Sequence, residues 1–167
     1  VEAWLNALYP ERFIRVVNMG TSGHTTRDLK ARWQTDVVDL EPDWVSIMIG
    51  ANDVWRQFDS PKQTEKHVGL QEYEANLREL VAATKPRVKG LVLLTPFYLE
   101  AQRQDAMRAM MDRYAEVVRT VAKAEGLPLG DTQAAFDALL RVVYSATINW
   151  DRVHLNPTGA VVVARTF

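Results

Sequence analysis

The six residues Trp44-Val45-Ser46-Ile47-Met48-Ile49 form a near-continuous apolar run. It has the length of a strand and the composition of one covered on both faces. Strands of that kind belong to parallel sheets, whose neighbours are joined by helical crossovers rather than tight hairpins. The rest of the sequence fits this demand. An amphipathic opening run (Trp4, Leu5, Leu8, Tyr9) reads as a helix and Phe13-Ile14-Arg15-Val16-Val17 as a short strand. Leu29, Trp33, Val37 and Leu40 recur at helical spacing behind an N-cap at Thr25, with Asp28 three residues on and Pro42 as the stop.

The polar, Pro61-containing stretch from Phe58 to Gly69 reads as a loop. Tyr73, Leu77, Leu80 and Val81 then mark a helix, and Leu91 to Leu94 a strand ended by Pro96. Met107, Met110, Met111, Tyr114, Val117, Val118 and Val121 lie on the longest helix, a methionine stripe suited to filling a core. Gly126 ends it, Leu127-Pro128-Leu129 makes a short strand, and Phe136, Leu139, Leu140 and Val143 mark another helix. The expected architecture is one α/β domain over residues 1–167, with a parallel sheet between two helical layers.

Composition narrows the function classes. A formal net charge of -1 gives no long-range pull toward nucleic acid or an anionic membrane. With no cysteine, thiol nucleophiles, disulfides and thiolate metal sites are excluded together. No apolar run reaches the length of a membrane span and no signal-peptide pattern opens the chain, so a cytoplasmic location is expected, with secretion left open. Self-association is compatible with this composition. The chain begins at Val1 without Met and closes in the apolar stretch Ala160–Ala164, which suggests a fragment incomplete at its N-terminus and at its C-terminus.

Ligands of open parallel sheets bind beyond the carboxyl ends of the strands. Gly20-Thr21-Ser22-Gly23-His24, Gly50-Ala51-Asn52-Asp53 and Thr95-Pro96-Phe97-Tyr98 follow expected strands, and Trp150-Asp151-Arg152-Val153-His154 lies near the chain end. Asp151 and His154 are spaced for a carboxylate to hold an imidazole in one tautomer, the requirement of a general base. The Asn52 amide can point N–H into the crevice, or can simply bond its own turn. Gly23 either permits positive φ before a helix or aims a backbone N–H at developing negative charge. Asp53, without a cluster of further ligands, reads as structural, and His24 and His67 as inert. The tryptophans fall mostly at core-like positions. Trp55 and Trp150 are the exceptions, candidate platforms for a sugar ring.

Taken in order, these motifs resemble a known family. Asn18-Met19-Gly20-Thr21-Ser22-Gly23 resembles the second block of the SGNH (GDSL-type) hydrolases, Gly50-Ala51-Asn52-Asp53 the third, and Asp151-Arg152-Val153-His154 the last. The likeness covers essentially the whole chain. It is greatest to the bacterial acetylxylan esterases of that family, through residues 43–50, 52–57, 95–98, 131–136 and 150–154. The resemblance implies a flavodoxin-like three-layer α/β/α fold and serine-ester hydrolysis through an acyl-enzyme without a cofactor. The implied substrate is a small-molecule or oligosaccharide ester, most narrowly acetylated xylan. His154 is then the general base, Asp151 its orienting carboxylate, and the Gly23 backbone N–H and Asn52 side chain the oxyanion donors.

Two features depart from the family pattern. Ala160 stands where a second histidine is common. The first block, Gly-Asp-Ser, is absent: Ser22, Ser46, Ser60 and Ser145 are the four serines, and none follows a Gly-Asp pair. Ser22 adjoins the oxyanion position and is not the nucleophile. The resemblance therefore implies a chain without its first, central strand and its attacking serine, inert toward esters by itself. Such a loss removes four or five buried side chains at ~1.5–3 kcal/mol each, against a stability of ~5–15 kcal/mol. Unpaired edges then favour aggregation. Other readings are a lysophospholipase or thioesterase of the same family, a flavodoxin-like FMN or phosphate binder using Thr21–Thr25, and a domain that binds sugars without cleaving them.

Overall fold

A computed structural model describes residues 1–167. Three parallel strands, β1 (Trp44–Met48), β2 (Gly90–Leu94) and β3 (Leu129–Gly130), form one sheet in the order β1-β2-β3. Val45 lies beside Leu91 and Ile47 beside Leu93, while Leu93 and Leu94 lie beside Leu129 and Gly130. Seven α-helices surround it: α1 (Glu2–Leu8), α2 (Thr26–Asp36), α3 (Ala51–Asp59), α4 (Leu70–Thr84), α5 (Ala106–Glu125), α6 (Thr132–Leu139) and α7 (Pro157–Ala164).

Because side chains alternate across a strand, β2 serves two cores. Leu91 and Leu93 join Val45, Ile47 and the apolar stripes of α4 and α5 in the larger cluster, which includes Tyr73, Leu77, Met111 and Val118. Val92 and Leu94 turn to the opposite face, where Phe97, Phe136 and Val163 form the smaller cluster under α6 and α7. Helices thus lie on both sides of a parallel sheet, the α/β architecture expected. The methionines of α5 behave as filler: Met107 and Met111 are buried in the larger cluster and Met110 packs against it.

Four elements differ from expectation. Residues 13–17 form no strand. Backbone in a strand needs a ladder partner, and β1 pairs with β2 alone. The Ile14 and Val16 amides instead donate to Asn6 Oδ1 and Glu2 Oε2, side chains of α1. β1 is buried on one face only: Val45 and Ile47 point inward, whereas Trp44, Ser46 and Met48 are exposed, because α6 and α7 cover β2 and β3 rather than β1. The expected loop from Phe58 to Gly69 begins inside a helix that runs from Ala51 through Asp59, and it holds a single 3-10 turn at Thr64–Lys66. The expected helix face from Leu29 to Leu40 breaks after Asp36 into a 3-10 turn, with Glu41 left-handed at φ 47° before Pro42.

Smaller boundary shifts follow the same logic. The short strand is Leu129–Gly130 rather than 127–129, and α6 ends at Leu139, leaving Val143 beyond it. Gly126 closes α5 at φ 64°, with its N–H returning to the Lys123 and Ala122 carbonyls. Of the five tryptophans only Trp33 is buried, its Nε1–H donating to Thr84 Oγ1 at 2.9 Å.

Candidate active site

The turn from β1 into α3 is built around Gly50, at φ 128°. A Cβ there would stand 2.9 Å from Tyr73 Oη and 3.1 Å from Pro96 Cγ, so no other residue fits. Tyr73 is fully buried, which pushes its phenol well above the ordinary value, and it donates to the Ile49 carbonyl at 2.8 Å. This sharp turn puts Asn52 and Asp53 in the first turn of α3.

Those two residues join α3 to the loop before α2. Asn52 Nδ2 donates to the His24 carbonyl at 3.1 Å, and Asn52 Oδ1 accepts from Arg56 Nη2 at 3.3 Å. Asp53 is fully buried and takes the Thr26 N–H at 3.1 Å on both oxygens and the Thr26 hydroxyl at 2.5 Å on one. Burial pushes its carboxyl up to about 6 against the lowering effect of the Thr26 bonds. Asp28 caps the same helix end by accepting the Thr25 N–H and hydroxyl at 2.8 and 2.7 Å. Gly23, at φ 81°, precedes this cap, and its N–H donates to no acceptor within the chain. The Arg56 guanidinium lies over it, 3.7 Å from where a Cβ would stand.

Asp151 and His154 meet in a tight turn rather than on a helix. Asp151 Oδ1 accepts the Val153 and His154 amides at 2.9 and 3.0 Å, and Oδ2 accepts His154 Nδ1–H at 2.6 Å. Partial burial acts to raise the Asp151 carboxyl, yet the imidazole and the two amides outweigh it and hold it below the ordinary carboxylate value. His154 is exposed, with Nε2 unbonded within the chain. The turn docks on the core through Val153. The indole of Trp55, one helical turn after Asn52, lies 5.8 Å from the His154 ring centre to centre at 59°.

The residues expected at the site are thus brought together in two groups bridged by one indole. Gly23, Asn52 and Arg56 form one group, Asp151 and His154 the other, and Trp55 joins them. Trp150 is 84% exposed, outside either core. His24 is half-buried and accepts from Arg32 Nε at 3.2 Å, and His67, read as inert, has its Nε2 3.0 Å from the Ser60 carbonyl. Sequence inspection missed Arg56. Its signal is the four-residue spacing from Asn52, which carries meaning only on a helix.

Known proteins place this geometry in context. The model of the GDSL-like lipase/acylhydrolase family matches residues 1–162. An acetylxylan esterase of Geobacillus stearothermophilus is 57% identical over 163 residues, covering 98% of this chain and 74% of the relative. Its crystal structure superposes with a TM-score of 0.96 over 99% of this chain and 75% of that one, and its catalytic mutants include a serine, an aspartate and a histidine replaced by alanine. A hydrolase from the metagenome of Lake Arreo gives the same TM-score, 0.96, at 54% identity, over 99% of this chain and 76% of that one. On these grounds the chain belongs to the GDSL-like lipase/acylhydrolase family, the SGNH-type carboxylic ester hydrolases.

Proposed function

We propose that this chain carries the base, the orienting acid and the oxyanion donors of an esterase that removes O-acetyl groups from xylan or xylo-oligosaccharides. The observation that supports it best is the 2.6 Å hydrogen bond from His154 Nδ1 to Asp151, beside an indole on the helix that holds Asn52. With Nδ1–H committed to the carboxylate, Nε2 is the basic nitrogen. It takes the proton of a serine hydroxyl as that oxygen attacks the acetyl carbonyl carbon, and Asp151 stabilises the imidazolium.

The carbonyl oxygen becomes an oxyanion as the C–O bond to serine forms. The unbonded Gly23 N–H and the second Nδ2 hydrogen of Asn52 are the donors for it. Collapse breaks the bond to the sugar oxygen, which takes the proton from His154, and water then releases acetate by the same steps in reverse roles. The attacking serine is none of Ser22, Ser46, Ser60 or Ser145, so the 167 residues alone are inert in this proposal. Trp150, exposed beside Asp151, and Trp55 are the faces for a sugar ring.

The phosphate-binding alternative loses its donors. The Thr25 and Thr26 amides at the start of α2 are taken by the carboxylates of Asp28 and Asp53, whose negative charge opposes phosphate. The test is hydrolysis of p-nitrophenyl acetate and octanoate by the chain alone and by a version joined to a Gly-Asp-Ser strand. Activity is expected only in the joined version, with acetate preferred and His154→Ala inactive. Retained turnover in His154→Ala removes the proposal, and a preference for octanoate turns it toward a lysophospholipase or thioesterase.

A further inference from the structure

The turn that holds Asp151 and His154 has an unusual second residue. Arg152 is left-handed at φ 63°, a conformation that favours glycine and strains a long side chain. Its bonds explain how the strain is held. The Arg152 carbonyl accepts the Leu99 N–H at 2.9 Å, and Arg152 Nη1 donates to Glu100 Oε2 at 2.6 Å. The same guanidinium lies 6.0 Å over the Tyr98 ring. Three consecutive residues after β2 therefore grip one residue of the turn.

That grip rests on a buried charge cluster with no part in the reaction. Arg108 is only 1% exposed, and its guanidinium donates to the Glu100 carbonyl, to Asp112 at 2.9 Å and to Asp137 at 2.8 Å. Gln133 ties the same carboxylate to the segment: it donates to Asp137 at 2.9 Å and accepts the Tyr98 N–H at 2.8 Å. Two carboxylates satisfy the buried cation, so the backbone at Glu100 is fixed to α5 and α6.

We propose that Arg152 and Glu100 are positioning residues: the ion pair between them, anchored through Arg108, holds the turn so that Asp151 fixes His154 in the Nδ1–H tautomer. This rests on the base assignment given above. A loosened turn leaves Asp151 free to drift from Nδ1, and the ring then reverts toward its Nε2–H form.

The test reads the side-chain 15N shifts of His154 in the 167-residue chain at pH 8, with His24 and His67 identified by their Gln variants. Wild type is expected to be mainly Nδ1–H, and Asp151→Asn to reverse the tautomer. Glu100→Gln and Arg152→Gly are expected to lower the Nδ1–H to Nε2–H ratio at least about threefold. Glycine also relieves the left-handed backbone, so Arg152→Gly should do this without lowering the melting midpoint, and Arg152→Lys should restore part of the ratio. If Asp151→Asn changes the ratio while Glu100→Gln and Arg152→Gly leave it at the wild-type value, the positioning role is wrong and the base assignment stands. If Asp151→Asn also leaves it unchanged, the base assignment itself fails.

Discussion

Asp53 holds the start of α2 by taking both the N–H and the hydroxyl of Thr26, and it does so with no exposure to water. Burial lifts its carboxyl from 3.8 to about 6. A carboxyl raised in the folded state binds its proton more tightly there than when unfolded, so its contribution to stability is complete below about pH 4 and is lost as pH rises through 6. The loss approaches ~3 kcal/mol at neutral pH. Asp53→Asn, which carries no charge to bury, should gain on wild type by about 2 kcal/mol between pH 4.5 and 7.5 in urea denaturation. Parallel curves for the two proteins would show that Asp53 pairs more completely than its burial implies.

Gly50 sits where two groups already press on its α-carbon. Its φ of 128° and the 2.9 Å approach of Tyr73 Oη leave a methyl group both strained and overlapping. Gly50→Ala should cost about 3 kcal/mol, the sum of modest overpacking and one left-handed residue. Gly23 is the contrast. It shares a positive φ, but the nearest atom to an added Cβ is 3.7 Å away, so Gly23→Ala should cost about 1–2 kcal/mol through the backbone alone. Denaturant midpoints of the two variants separate clash from conformation.

Asn52 spends one amide hydrogen on the His24 carbonyl and has its Oδ1 fixed by Arg56. In the proposed role of oxyanion donor, its loss in Asn52→Ala should lower kcat about 10²–10³-fold, with KM little changed. Steady-state kinetics of the version joined to a Gly-Asp-Ser strand measure this, and near-normal kcat would take Asn52 out of the reaction.

Much of this arrangement was legible in the sequence because it is local. The Thr25–Asp28 cap, the Asp151–His154 spacing and the apolar strand at Leu91–Leu94 are each set within a few residues. What was not legible depends on distant chain. Phe13–Val17 has the composition of a strand but meets no ladder partner, so its amides turn to Asn6 and Glu2. Trp44 and Met48 read as buried until the extent of α6 and α7 is known. Arg152 and Glu100 lie 52 positions apart, and no periodicity joins them.

Arg108 is the most buried cation in the chain, with its positive charge held by Asp112 and Asp137. Burial acts to lower its guanidinium, but the two carboxylates raise it further. Removing the cation leaves Asp112 and Asp137 without the buried charge that both of them pair with. Arg108→Ala should therefore cost about 3–5 kcal/mol, more than Arg103→Ala, whose ion pair with the same Asp137 is 68% exposed on the arginine side and contributes under ~1 kcal/mol. Urea denaturation of the two variants at one pH gives the comparison, and equal losses would mean that Asp137 is held by Gln133 instead.

The outer edge of β1 is unpaired. The strand pairs on one side only, and beside its unpaired N–H and C=O groups it exposes Trp44 at 61% and Met48 at 45%. An exposed apolar edge is a template for pairing with another chain, and a charge pointing outward from it is the usual defence. Of the two apolar residues Met48 is the better place for that charge, because the Trp44 ring packs over Gly90 of β2. The 167-residue chain should self-associate at micromolar concentration in light scattering, and Met48→Lys should reduce the association several-fold at unchanged circular dichroism. A wild-type chain that stays monodisperse, indifferent to lysine at position 48, would mean that the edge is shielded by the exposed segment around Val16 and Val17 rather than open to a second molecule.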